Sequence, residues 1–250
     1  TSGFSGVKIT HSAGFGTATG MHFTNSGGNT YVRNNSIGSI ELTTSVNNVI
    51  TRFYALNINS SSTFHIQNNI IGDSSAIASP NSISVGSLTS TVHSVFAGVN
   101  VEQNVYPVMN INSNVIRNCQ ARTNSDSSLT AGLRTNGTTT SVSITDNVIK
   151  NLEAVSSSTG SSKVYGVLQW ATSGSSYVYR RNVINSLTSV CGTGTRSGAV
   201  GIYATAFSNI TMDSNYVHDI NTNSSATGIL GGAIGIYTTG SATNNRVYNI

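Results

Sequence analysis

A short motif returns along the whole chain and limits what it can fold into more than any other feature. In residues 141–152, SVSITDNVIKNL, the apolar Ile144 stands three positions before Asn147, and Ile149 and Leu152 follow that asparagine by two and five. The same shape surrounds Asn35, Asn69, Asn114, Asn182, Asn215 and Asn245. With Asn147 in its place, the series advances by 34, 45, 33, 35, 33 and 30 residues. A second marker, a small residue followed by an apolar one, keeps the same beat at Gly20, Ala55, Gly98, Gly132, Gly166, Gly201 and Gly235. Its steps are 35, 43, 34, 34, 35 and 34. Sequence repeats of this length are supersecondary units that bury their apolar faces by stacking. Both markers stretch at one place, so a single insertion at 74–95 explains both. That segment holds Pro80 and the run SISVGSLTSTVHS, and reads as a long loop or short hairpin leaving the coil.

Composition selects the kind of repeat. The chain has 40 Ser, 31 Thr and 30 Asn among 250 residues, with 8% charged residues and 2 Pro. Polar content of this kind also marks disorder, but here Val, Ile, Leu and Tyr fall in short alternating runs, the pattern of strands. No helical period persists for three turns. The sequence predicts an all-β fold: a single right-handed parallel β-helix of about seven coils, ~34 residues per coil, spanning 1–250. Handedness follows the rule for parallel crossovers. Coils stack at ~4.8 Å, so equivalent residues form columns. The column two beyond each asparagine (Ile37, Ile71, Ile116, Ile149, Ile184, Val217, Val247) is predicted to line the interior. The asparagines themselves are predicted to form a side-chain amide ladder at a tight bend, satisfying groups the bend would leave unpaired.

The asparagine at the bend resembles the repeats of the pectate-lyase-like superfamily of right-handed parallel β-helices. The Ser/Thr/Asn-rich wording, with phrases such as NNVI at 47–50, resembles large secreted or cell-surface repeat proteins of Bacteroidota. The resemblance covers the chain and implies the fold and an extracellular location. It does not select a function, since such folds include lyases, hydrolases, tailspikes and adhesins. Val7 and Ile9 read as the tail of a preceding coil, and Ile250 closes a repeat. The chain is therefore expected to be a segment of a longer protein whose neighbouring domains cover its open strand edges.

Charge and motif content narrow the chemistry. The net charge is +4, from twelve scattered cations and eight acids. Nucleic-acid binding, which needs clustered Lys and Arg, is not expected. Nor is membrane insertion, as no apolar run is long enough to span a bilayer. No Asp-Asp pair occurs of the kind paired-carboxylate hydrolysis would use. Asp146 aligns with Arg181 and Arg180 with Asp213, which reads as surface ion pairing. Arg134 beside Glu102 is the one weak lyase-like pair. The five histidines share no metal-ligand spacing, so neither metal nor cofactor is expected. Cys119 falls in the column of Leu152 and reads as core. Cys191 lies two coils further on, about 9.6 Å away and beyond disulfide reach.

One candidate ligand site remains. Two and four positions after the small-residue column, side chains should point outward, and there stand Arg134, Trp170, Tyr203 and Tyr237 beside a low ridge of Gly132, Gly166, Gly201 and Gly235. Such a strip could stack sugar rings. The expected function is a non-enzymatic structural or adhesive segment of a large secreted or cell-surface bacterial protein, with a polysaccharide or other surface glycan as partner. The alternative is a polysaccharide-processing lyase or glycoside hydrolase whose active coil is degenerate or lies outside this segment.

Overall fold

Alternation with period two gives each short segment one apolar face, and no segment can bury that face alone. In the computed structural model the chain solves this by winding. The structure describes residues 7–11, 16–24, 27–44, 50–72, 82–89, 91, 93–102, 107–124, 127–135, 141–157, 161–170, 176–192, 197–205, 209–223 and 231–250. Three sheets result, and every strand pairing within them is parallel. Sheet I stacks Gly16–Phe23, Thr51–Ile58, Ser94–Val101, Ser128–Thr135, Ser162–Trp170, Gly198–Thr205 and Ala233–Thr238. Sheet II stacks the segments from Asn29–Arg33 through Ser141–Thr145 to Ser241–Thr243. Sheet III runs from Val7–His11 through Val115–Thr123 and Val148–Ser156 to Arg246–Tyr248. Successive turns are about 34 residues apart, as where Leu133 pairs with Val167. The fold is a parallel β-solenoid, with no helix among the described residues.

The expected seven coils need one correction. Five inner turns carry a neighbour on both sides in all three sheets and close a continuous core, so the solenoid has about five full turns. In the outer turns Met21, Phe23 and Ile236 are only partly buried, and Val247 is 44% exposed, because no described strand stacks on their outer side. Inside, the predicted columns hold. Ile71, Ile116, Ile149 and Ile184 are fully buried and paired in register. Cys119 and Cys191 are both buried and neither is in a disulfide, and burial pushes the Cys119 thiol well up from its ordinary value.

The asparagine ladder is continuous from Asn35 to Asn245. Each backbone N–H and each side-chain Nδ2 donates to the Oδ1 of the next asparagine at 2.9–3.1 Å. Nδ2 also donates to a carbonyl of the preceding turn, Ile111 for Asn147 and Ile144 for Asn182. The five inner members are at most 1% exposed. The bend is made by the residue just before each rung: Asn34, Asn68, Ser113, Asp146, Arg181, Ser214 and Asn244 all have φ between 52° and 58°. Asn and Asp tolerate this left-handed region best, and Arg181 shows the corner is imposed by its neighbours.

The small-residue column has a different role from the one expected. Gly98, Gly132, Gly166 and Gly201 are buried, so they form no surface ridge. A Cβ on Gly166 would stand 2.5 Å from Ile184 Cγ2 and 2.6 Å from the Gly201 carbonyl oxygen. The glycines let sheet I bend inward against the isoleucine column of sheet III, and the pairing register skips them.

The insertion is narrower than expected. Ile83–Gly86 is not a loop: it pairs with Ile40–Leu42 on one side and Cys119–Arg122 on the other. Ile71 pairs with Ile116 and Ile83 with Cys119, so twelve positions stand where the next turn uses three. The nine extra residues fall between Gly72 and Ser82. Residues 73–81, with Pro80, lie outside the described residues.

Two substitutions test this packing. Asn147→Ala strands several buried partners and is expected to destabilise by ~1–3 kcal/mol, whereas the exposed Asn221→Ala should change little; chemical denaturation of both, giving equal midpoints, would contradict the ladder. Gly166→Ala is expected to cost ~1–3 kcal/mol through overpacking, and an unchanged melting temperature would show that the column has room.

Candidate functional site

On a solenoid, outward side chains form a lattice, and on the outer face of sheet I that lattice is interrupted by depressions. Along sheet I the column beyond the inward Leu56, Val99, Leu133, Val167, Ile202 and Ile236 reads Asn57, Asn100, Arg134, Leu168, Tyr203 and Tyr237. Arg134, Tyr203 and Tyr237 thus share one column, as expected. Trp170 does not. Leu168 fills its place, and Trp170 pairs with Thr205 one outward position further along the strand. At 64% exposure it is the most open large hydrophobic side chain among the described residues.

The aromatics are also used differently from a row of open rings. Tyr203 and Tyr237 stack on each other with centroids 5.0 Å apart and planes 10° apart, and Tyr165 meets Tyr203 edge-on at 6.1 Å. Stacking spends a face of each ring on its neighbour. Tyr165 and Tyr203 close an apolar cluster outside the sheet, with Ala131, Leu168 and Val200. Burial, aided by Tyr203, pushes the Tyr165 hydroxyl up to about 12, so it stays neutral.

Two adjoining depressions cross this face. One, of about 590 Å³, is polar and lined by Arg52, Tyr54, Asn100, Glu102 and Arg134. The other, about 260 Å³, is more apolar, with Leu129, Tyr165, Leu168 and Trp170 in its wall. They share His93, Val95 and Arg134. In the polar part Asn100 Nδ2 donates to Asn57 Oδ1 at 2.8 Å, and Asn57 Nδ2 donates to Glu102 Oε1 at 2.5 Å. Asn100 is 3% exposed and its own Oδ1 has no partner. Arg134 aligns with Asn100 rather than with Glu102, and its Nη1 lies 3.4 Å from the Tyr54 hydroxyl. Arg134 and Glu102 therefore share a groove without forming an ion pair. Glu102 is the one carboxylate lining either depression among the described residues.

Sequence reasoning missed Arg52, Tyr54, Asn100 and the groove they form. Their outward direction follows from the inward column, but in the earlier turns the column of Arg134 holds Asn57 and Asn100 in place of the aromatics that drew notice to the later ones. It also missed Gln169, which sits inside the barrel at 0% exposure and accepts a hydrogen bond from the buried Tyr179 hydroxyl.

The expected ion pairs are present on the surface. Arg181 donates Nε and Nη2 to the two carboxylate oxygens of Asp146, both at 2.7 Å, and Arg180 lies 3.3 Å from Asp213. No group of three His, Cys, Asp or Glu is placed to hold a metal among the described residues. No helix of the described residues is long and apolar enough to cross a membrane. Comparison of the chain with protein-family models, with curated proteins and with solved structures found no match.

The Asp146 pair sets a pH dependence. Hydrogen bonds from Arg181 hold the Asp146 carboxyl below the usual carboxylate range, with partial burial opposing them. A folded pKa below the unfolded one gives stability that is present above the unfolded value, ~3.9, and is lost as pH falls through the folded value. The stability gap between the native chain and Asp146→Asn, which keeps the left-handed corner, is expected to shrink between neutral pH and pH 3 in urea titrations; a gap independent of pH would discount the pair.

Proposed function

We propose that this chain is a structural and adhesive segment of a large secreted or cell-surface protein that holds a glycan along the outer face of sheet I. The observation that carries the reading is the pair of adjoining depressions there, polar and cationic at Arg52 and Arg134, apolar at Leu168 and Trp170. Sugars present both hydroxyl edges and C–H faces. A site that offers amide, guanidinium and phenol groups beside an exposed indole matches both. The polar volume falls within the range of ligand sites, ~300–1,000 Å³, and Asn100 Oδ1 offers a buried acceptor awaiting a hydroxyl donor.

A rigid stacked core supports the structural half of the reading, because each turn is clamped by the amide ladder and the isoleucine column at once. The asparagine-at-the-bend repeat supports likeness to the pectate-lyase-like β-helices, and the Ser/Thr/Asn wording supports likeness to surface repeat proteins of Bacteroidota. Both likenesses favour an extracellular place and neighbouring domains of the same chain as partners. A second reading, polysaccharide cleavage, has one observation in its favour: Glu102 shares the groove with Arg52 and Arg134. A lone carboxylate lacks the second acid of a paired-carboxylate hydrolase, so binding is the reading preferred.

The test is a polysaccharide array probed with the native chain and with Trp170→Ala combined with Arg134→Gln. Retention is expected to fall by about tenfold or more, the ~1.4 kcal/mol or more lost when an anchoring side chain is removed, while the melting temperature moves little. Retention that survives the double substitution, or an array without hits for the native chain, refutes the binding reading. Release of unsaturated or reducing ends from a retained glycan would favour cleavage.

A further inference from the structure

On the outer face of sheet III, two cations stand side by side. Arg117 pairs in register with Lys150 of the next turn. Like charges placed opposite each other on adjacent strands repel and destabilise the pairing. Among the described residues, neither has an acid within ion-pair distance. Arg122, on the same strand as Arg117, acts on Glu153, which pairs in register with Gln120: the Glu153 carboxyl is pushed up by burial and held down in part by the Arg122 guanidinium. Three cations and one acid leave a local charge of +2. Among the described residues, the adjacent positions of the neighbouring turns carry no charge: Gly72, Ser84 and Gly86 lie on one side, and Asn185, Thr188 and Val190 on the other.

Hydrogen-bonding capacity is left over on both sides of the corner at Asn118. The Nε atoms of Arg117 and Arg122 are both buried without an acceptor. Between them along the strand lies Gln120, flanked by the inward Cys119 and Ala121, so its side chain takes the outer face. It is 1% exposed, and Nε2 donates to Ser84 Oγ at 3.0 Å, yet Oε1 has no partner. The site thus presents guanidinium and ammonium donors for an oxyanion and one amide oxygen for a hydroxyl.

We propose that Arg117, Lys150 and Arg122, with Gln120, form a binding site for a phosphate monoester carried on a polyol. Guanidinium forks match phosphate oxygens in pairs. A phosphomonoester carries a charge of about −1.5 to −2 at neutral pH, which balances the two unpaired cations; a sulfate ester or carboxylate, singly charged, leaves one uncompensated. An adjacent polyol hydroxyl supplies the donor that Gln120 Oε1 lacks. This site lies on a different face from the groove of sheet I and does not depend on what that groove holds.

The experiment measures melting temperature and calorimetric binding for the full chain at low ionic strength, with glycerol 2-phosphate, methyl sulfate and glycerol as probes. Glycerol 2-phosphate is expected to raise the melting temperature and bind more tightly than methyl sulfate, with glycerol inert. Lys150→Gln is expected to raise the melting temperature without ligand, because the repulsion is gone, and to weaken glycerol 2-phosphate binding by roughly tenfold. Arg117→Gln should do the same. Arg52→Gln, on sheet I, should leave phosphate binding intact. The proposal is overturned by the absence of a phosphate-dependent shift, by equal binding of methyl sulfate, or by loss of phosphate binding in Arg52→Gln. It is equally overturned if Lys150→Gln lowers the melting temperature without ligand, which would show that Lys150 already has a structural partner.

Discussion

A primary amide in the dry interior of a protein must satisfy two N–H donors and an oxygen, or its burial costs more than it returns. Here the solution is periodic. Each asparagine oxygen receives the backbone and side-chain N–H groups of the asparagine one turn before, and each nitrogen reaches forward to the next oxygen and back to a carbonyl. Aspartate cannot donate, and glutamine is longer by one methylene, so the column admits one residue type. Everything else in a turn is positioned from this corner. The preceding residue takes φ near +55° to turn the chain, and the two apolar neighbours fall inward on either side.

That dependence explains what was legible in the sequence. A column that tolerates one residue leaves its period in plain sight, and the isoleucines tied to it follow by counting. The second corner, within sheet III, left no such trace. Ser39, Asn118, Asn151, Ser186, Asp219 and Asn249 all have φ between 52° and 56°, but their side chains are free to differ. The glycine column was visible as a marker and misread as a surface feature. Sequence shows that a side chain is missing, whereas only packing shows which direction it is missing from. Ile83–Gly86 was taken as loop because the repeat count breaks there, although its own alternation was that of a strand.

The outer face of sheet I obeys looser rules. Columns place residues at ~4.8 Å intervals, so the neighbours of Arg134 could be named in advance. What they would do could not. Leu168 rather than Trp170 stands next to Arg134 because the indole is two residues further along the strand. Whether two tyrosines offer their faces to solvent or to each other depends on side-chain rotation, which no periodicity records. Outward positions carry little packing constraint, and for that reason they are both where a ligand can be accommodated and where the sequence says least.

The orientation of the ladder has a mechanical consequence. Amide rungs and strand hydrogen bonds both run along the solenoid axis, each joining one turn only to the next. Tension applied at the two ends therefore loads these bonds in succession, as in unzipping, instead of shearing many at once. Each turn that yields frees about 34 residues, as between Leu133 and Val167, which extend to roughly 110 Å of chain at ~3.3 Å per residue. Single-molecule pulling would show regular steps of that length if the turns are released singly, and one long rupture if they are not. Turn-by-turn release would make the solenoid a shock absorber: it would lengthen under load while the turns not yet reached kept their shape.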